Sequence, residues 1–120
     1  MKFGYENLEV WNRAVDFAVE VIDTVENMAS SRKHYRLLEQ IESCSTSIPM
    51  NIAEGKGRFS RKEFGKFLYI SRASLYETMT LLEIFRRKRW LSDENYSELA
   101  SQGFEIASMI KGLINSLSKS

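Results

Sequence analysis

A chain of 120 residues, 43% apolar and 28% charged with a net charge of +1, has room for one compact soluble domain and not for a second. Every apolar stretch is broken by charge well short of the roughly 20 residues a bilayer span needs, and Met1 to Glu6 lack the apolar run of a secretion signal. The single cysteine, Cys44, has no partner for an internal disulfide, so a cytoplasmic protein without membrane association is expected.

The first helix is expected over about 8–29, behind a short arm whose Phe3, Tyr5 and Leu8 are apolar enough to pack down. One stripe runs Leu8, Trp11, Val15, Ala18, Ile22, Val25, Ala29, and a neighbouring one Val10, Ala14, Phe17, Val21, Met28. Two stripes exceed what one bundle core needs. The second either enlarges the core or is buried against another subunit.

Ala29 to His34 reads as a turn, with His34 a solvated residue at its end and no metal-ligand spacing around it. The second helix, about 35–56, carries Leu37, Leu38, Ile41, Cys44, Ile48 and Ile52 inward, a spacing that continues through Pro49 and so predicts one kinked helix, not two. Cys44 falls on the apolar stripe and reads as a small core residue. Ser43, Ser45, Thr46 and Ser47 gather one turn before Pro49, where small hydroxyls can accommodate the missing backbone hydrogen bond and let a neighbouring helix come close. Asn51 and Glu54 share a side with Ser47 and predict a buried polar network joining the second helix to the third, in preference to a catalytic role. Gly55 and Gly57 are expected to end the helix with positive φ.

The third helix, about 61–88, opens on Ser60-Arg61-Lys62-Glu63, a capping-box pattern. Its stripes are Phe64, Leu68, Ser71, Leu75, Thr78, Leu82, Phe85 and Phe67, Ile70, Ser74, Leu81, Ile84, again more than one face. Ser71 and Ser74 suit the small residues of the second helix, with Glu77 placed to join them. Arg86 to Arg89 complement the negative end of the helix dipole. Ser92 or Asp93 caps the fourth helix, about 93–117, whose stripe is Tyr96, Leu99, Gly103, Ile106, Ile110, Leu113, Leu117; Ser118 to Ser120 are expected to fray. Four long helices with three short links predict an all-α, antiparallel up-down-up-down four-helix bundle spanning residues 1–120 as a single domain.

The chain has no glycine-rich phosphate loop, no Cys/His cluster, no Glu-x-x-His pair and no nucleophile beside a base. No enzyme activity, cofactor or metal is expected. Charge is uneven, however: residues 1–30 carry −4, residues 31–90 carry +7 and residues 91–120 carry −2. Lys56, Arg58, Arg61, Lys62 and Lys66, with Phe59 and Phe64 interleaved at the junction of the second and third helices, form the candidate nucleic-acid-binding corner. Arg32, Lys33, Arg36 and Arg86 to Arg89 add charge at the opposite pole. The competing reading is that both charged ends simply cap helices. Repetition of a modest patch around an oligomer would favour phosphate binding, because many weak contacts then act together.

Leu8-Glu9-Val10-Trp11, Gln40-Ile41, the run Ser47-Ile48-Pro49-Met50-Asn51-Ile52-Ala53-Glu54-Gly55, Ser60 to Phe64 with Phe67-Leu68, and Ser74-Leu75-Tyr76-Glu77 together resemble one bacterial family. It is the four-helix bundle family encoded in intervening sequences of 23S ribosomal RNA genes, also described as ribosomal-protein-like. Ala73 departs from the glycine expected ahead of Ser74. The resemblance implies a structural role for Ser47, Pro49, Asn51, Glu54, Gly55, Ser74 and Glu77, and assembly as a homopentameric barrel. It also implies kinship with accessory proteins of diversity-generating retroelements, which bind nucleic acid and a reverse transcriptase. The expected function is a non-enzymatic oligomer that binds RNA through basic helix ends. The alternative is a structural or protein-interaction scaffold, such as a reverse transcriptase partner, without direct nucleic-acid binding.

Overall fold

Four α-helices, α1 (Glu9–Glu26), α2 (Tyr35–Lys56), α3 (Arg61–Arg87) and α4 (Asp93–Ser118), follow a 3-10 turn at Gly4–Asn7 in the computed structural model, which describes residues 2–29 and 34–119. No strand occurs among the described residues. The expected turn residues Ser30, Ser31, Arg32 and Lys33 lie outside them. Each helix touches its neighbours in chain order and α4 returns to α1, while the diagonal pairs α1/α3 and α2/α4 do not meet. Cross-helix pairs run in opposite directions along neighbouring helices: Ser71 with Ile48 and Thr78 with Cys44 between α3 and α2, Glu20 with Gln102 and Arg13 with Glu105 between α1 and α4. The result is an antiparallel bundle 52 × 25 × 23 Å.

Burial sorts the apolar stripes. Phe17, Ile41, Ile48, Leu68, Leu75, Leu82, Phe85, Leu99, Ile106 and Ile110 are closed from solvent, each worth roughly 1.5–3 kcal/mol on transfer from water. On α1 the face pointing to the centre is Val10, Ala14, Phe17, Val21 and Val25. Trp11, Val15 and Ile22 are only half-buried and Val19 is exposed. Val10, Ala14, Phe17 and Val21 therefore belong to the core, as the enlarged-core reading has it, together with Ala18 and Val25 of the other stripe, whose remaining members are the less covered ones. On α3, Ser74 and Leu81 are buried, whereas Ile70 and Ile84 remain exposed beside Tyr69 and Tyr76.

Helix ends account for several departures from the sequence reading. α1 stops at Glu26, where the Asn27 side chain donates to the Asp23 carbonyl and the Ala29 N–H reaches the Trp90 carbonyl. His34 is not a solvated residue: its ring stacks 3.9 Å from that of Trp90. α2 runs unbroken through Pro49. The hydroxyls before the proline do not reach the Ser45 carbonyl it leaves without a helical N–H, since Ser45 and Thr46 bond back to the Glu42 carbonyl.

Nor do Gly55 and Gly57 end α2 with positive φ, a conformation no glycine adopts here. Gly55 is buried inside the helix, and a Cβ on it would lie 2.7 Å from Phe67 Cβ and 2.9 Å from Phe64 Cδ1, so its absent side chain is what lets α3 approach. The left-handed residue is Arg89, φ 63°, after α3. Trp90 N–H bonds to the Phe85 carbonyl and Arg89 N–H to that of Arg86, the paired bonds of a Schellman end, with the Trp90 and Phe85 rings in contact at 5.8 Å.

Candidate nucleic-acid interface

The α2–α3 junction is built by two local devices. Lys56 ends α2 and Gly57 caps it with its N–H on the Ala53 carbonyl; Ser60, extended at φ −115°, then starts α3 by accepting the Glu63 N–H on its Oγ at 3.1 Å. The two residues between these caps, Arg58 and Phe59, form the corner, and Phe59 is fully exposed. All five expected cations are exposed here: Lys56, Arg58, Arg61, Lys62 and Lys66.

Their surroundings differ. Lys56 Nζ lies 6.0 Å from the centre of the Phe64 ring, and Arg58 sits 4.7 Å over Phe67 while pairing with Glu54 at 2.6 Å. Arg61 donates to the Lys119 carbonyl at 3.0 Å at the end of α4, which is helical through Ser118; Ser120, the last of the residues expected to fray, lies outside the described residues. Lys62 and Lys66 make no ion pair among the described residues. The amide end of α3 adds positive potential to the same corner.

At the opposite pole Arg86 and Arg87 are paired, while Lys88 and Arg89 are exposed and make no ion pair among the described residues. Arg86 is gripped by Glu83 at 2.7 Å and by Asp93 at 3.2 Å, and Arg87 reaches the same Glu83 at 2.7 Å. Hydrogen bonds from the two arginines hold the Glu83 carboxyl down at about 2. Lys88 lies over Trp90 at 5.7 Å. This run closes α3 and ties it to α4. Arg36 is exposed at that end, and the expected contributions of Arg32 and Lys33 lie outside the described residues.

The structural motif is a polar seam between α2 and α3. Ser47 and Ser74 hydroxyls are 2.8 Å apart, Asn51 donates to Ser47 Oγ at 2.8 Å, and Ser71 donates to the Ile48 carbonyl at 2.9 Å. One turn further along, Thr78 donates to Cys44 Sγ at 3.2 Å, and burial pushes that thiol up from its ordinary value. Glu54 is not part of the seam: it points outward to Arg58. Glu77 is also exposed and makes no hydrogen bond to the Ser47–Ser74 contact, though its charge acts on the Cys44 thiol one turn away. Both carboxylates are better served by water than by a seam already filled by hydroxyls.

Sequence reasoning missed the far wall of the corner. Tyr69 on α3 and Ile114, Leu117 and Lys119 on α4 join Arg61, Lys62, Gly65 and Lys66 around an open groove of about 590 Å³. No spacing along the chain signals it, because the two walls are some fifty residues apart. Among the described residues no group of three or more His, Cys, Asp or Glu side chains could hold a metal, and no helix is long and apolar enough to cross a membrane.

A family model described as "23S rRNA-intervening sequence protein" matches residues 6–112. Among solved structures, the crystal structure of a protein of unknown function from the S23 ribosomal protein family, from Bacteroides thetaiotaomicron, is similar at 27% identity and a TM-score of 0.81, over 88% of this chain and 97% of its own. No curated protein matches the chain.

Proposed function

The chain belongs to the 23S rRNA-intervening sequence protein family, and from that premise we propose that it is a non-enzymatic, oligomeric, cytoplasmic bundle that binds RNA through the basic corner where α2 meets α3. The observation that carries this reading is the contrast between Arg86 and Arg87 at one end and three lysines at the other, although Lys88 and Arg89 beside the former are also exposed without a carboxylate. Arg86 and Arg87 are saturated by Glu83 and Asp93, whereas Lys56, Lys62 and Lys66 are exposed without a carboxylate partner beside the N-terminus of α3. Cations that only close helix ends resemble the first group; cations open to phosphate resemble the second.

Oligomerisation is supported by the uncovered apolar surface. The half-buried Trp11, Val15 and Ile22 with exposed Val19 lie on α1, and exposed Tyr76 and Ile84 lie on α3. Since α1 and α3 are diagonal in the bundle, these strips face opposite sides. One copy's α1 strip would meet the next copy's α3 strip, a head-to-tail contact that gives a ring where the rotation between copies closes. Five copies is the number the resemblance implies, and a ring would multiply the basic corner.

The test is fluorescence anisotropy of a labelled structured RNA with nucleic-acid-free protein at two salt concentrations. Binding should weaken by roughly one power of salt concentration per phosphate contacted, and reversal of Lys56, Arg58, Arg61 and Lys62 to Glu should abolish it. Equal binding by the reversed protein removes the corner from the account. No binding at low salt leaves a protein-interaction scaffold, with a reverse transcriptase among the partners to try.

A further inference from the structure

Gly65 has no structural reason to be glycine. It lies in the second turn of α3 with ordinary helical backbone, and a Cβ built on it would meet nothing within 4 Å. The contrast with Gly55, where a Cβ would collide with Phe64 and Phe67, is complete. A glycine inside a helix weakens it relative to alanine; Gly112 on α4 is open in the same way, and what sets Gly65 apart is that its bare backbone lines a groove.

What lies around Gly65 is specific in character. Tyr69, one turn along α3, is half-exposed, with Arg72 stacked 5.0 Å from its ring centre. Across the groove Ile114 and Leu117 present apolar surface that continues into the core. The rim is cationic, with Arg61, Lys62, Lys66 and Lys119, and no carboxylate lines the groove among the described residues. A bare backbone floor, one aromatic ring, an aliphatic wall and a rim of positive charge complement a flat ring joined to an anion.

We infer that this groove receives an unpaired nucleotide of an RNA strand. Its base lies over Gly65 against Tyr69, Ile114 and Leu117, and its phosphates lie on Lys62 and Lys66. The inference rests on the RNA reading above and narrows it. In duplex RNA the base faces are stacked on one another and only phosphates, 2′-hydroxyls and base edges are offered, so a duplex uses the rim but not the floor. An unpaired base uses both, and stacking adds to the phosphate contacts.

The experiment compares a labelled single-stranded RNA without self-complementarity and an RNA duplex of equal length, each titrated by anisotropy against wild type, Gly65→Leu and Lys62→Glu/Lys66→Glu. Gly65→Leu fills the floor with a better helix former, so its melting temperature should not fall. It should weaken single-strand binding by about tenfold and duplex binding by less than about twofold. The double reversal should weaken both. Equal affinity of wild type for the two RNAs, or undiminished single-strand binding by Gly65→Leu, overturns the groove assignment while RNA binding stands. Failure of wild type to bind either RNA at low salt defeats the RNA reading and the groove with it. Unchanged RNA binding by Gly65→Leu with a smaller particle by light scattering overturns the assignment in favour of a second copy as occupant.

Discussion

The Ser47 and Ser74 hydroxyls meet 2.8 Å apart across the α2–α3 contact, and Asn51 donates to the same Ser47 oxygen. The contact is possible because both positions are small. Removing either hydroxyl leaves its partner with one fewer bond in a half-buried seam. Ser47→Ala and Ser74→Ala should each lower stability by about 1 kcal/mol. In a double-mutant cycle followed by urea denaturation, the pair should lose less than the sum of the two singles by roughly 0.5–1 kcal/mol. Strict additivity would mean that the seam is positional only.

Gly55→Ala should destabilise the protein, whereas Gly57→Ala should not. At Gly55 the new methyl meets Phe67 Cβ at 2.7 Å and the Phe64 carbonyl at 3.3 Å, atoms that cannot swing aside. The strain of about 1–3 kcal/mol exceeds the gain of about 1 kcal/mol in helix propensity, and the variant should melt earlier. At Gly57 φ is −79° and the nearest contact is an ordinary 3.5 Å. Alanine there should be neutral or stabilise by up to about 1 kcal/mol through the unfolded chain.

Arg89→Gly should stabilise the protein. Arg89 is the one described non-glycine residue with positive φ, at 63°, and it occupies the position after α3 that glycine usually takes. Relief of about 1 kcal/mol of left-handed strain should raise the urea midpoint without changing the slope of the transition. A fall would show that the arginine head group holds this corner more strongly than its backbone strains it.

Glu83 should make stability depend on acid. Its folded carboxyl is held at about 2 against an ordinary 4.5 by hydrogen bonds from Arg86 and Arg87. A depressed folded value contributes stability that is fully present above 4.5 and lost as pH falls towards about 2. Wild type should therefore exceed Glu83→Gln in urea midpoint at neutral pH, with the two converging near pH 2. High salt should shrink the neutral-pH gap, because the pairs are at the surface. A gap that does not vary with pH would assign the effect to packing.

Much of the architecture is legible along the chain. The three-and-four spacing of Leu37, Ile41, Cys44, Ile48 and Ile52 marks α2 through its proline, and Ser60 and Ser92 mark the starts of α3 and α4 by caps that form over a single turn. The Ser47–Ser74 seam is also readable, since small hydroxyl residues cluster on both helices at matching heights. Glu54 and Glu77 were not readable as outward-facing. A position beside an apolar stripe lies at the boundary between core and water, and the crossing of neighbouring helices decides on which side it falls.

By itself, then, the sequence determined four amphipathic helices and their order of packing, because periodicity and caps act within one or two turns and short links leave only chain neighbours to pair. Tertiary structure decided which members of the two stripes on α1 face inward, why Gly55 carries no side chain, that Arg86 and Arg87 are paired by Glu83 and Asp93, and that Gly65 and Tyr69 face Ile114 and Leu117. Each of these depends on the rotation of one helix against another, which buried volume sets and no local pattern records.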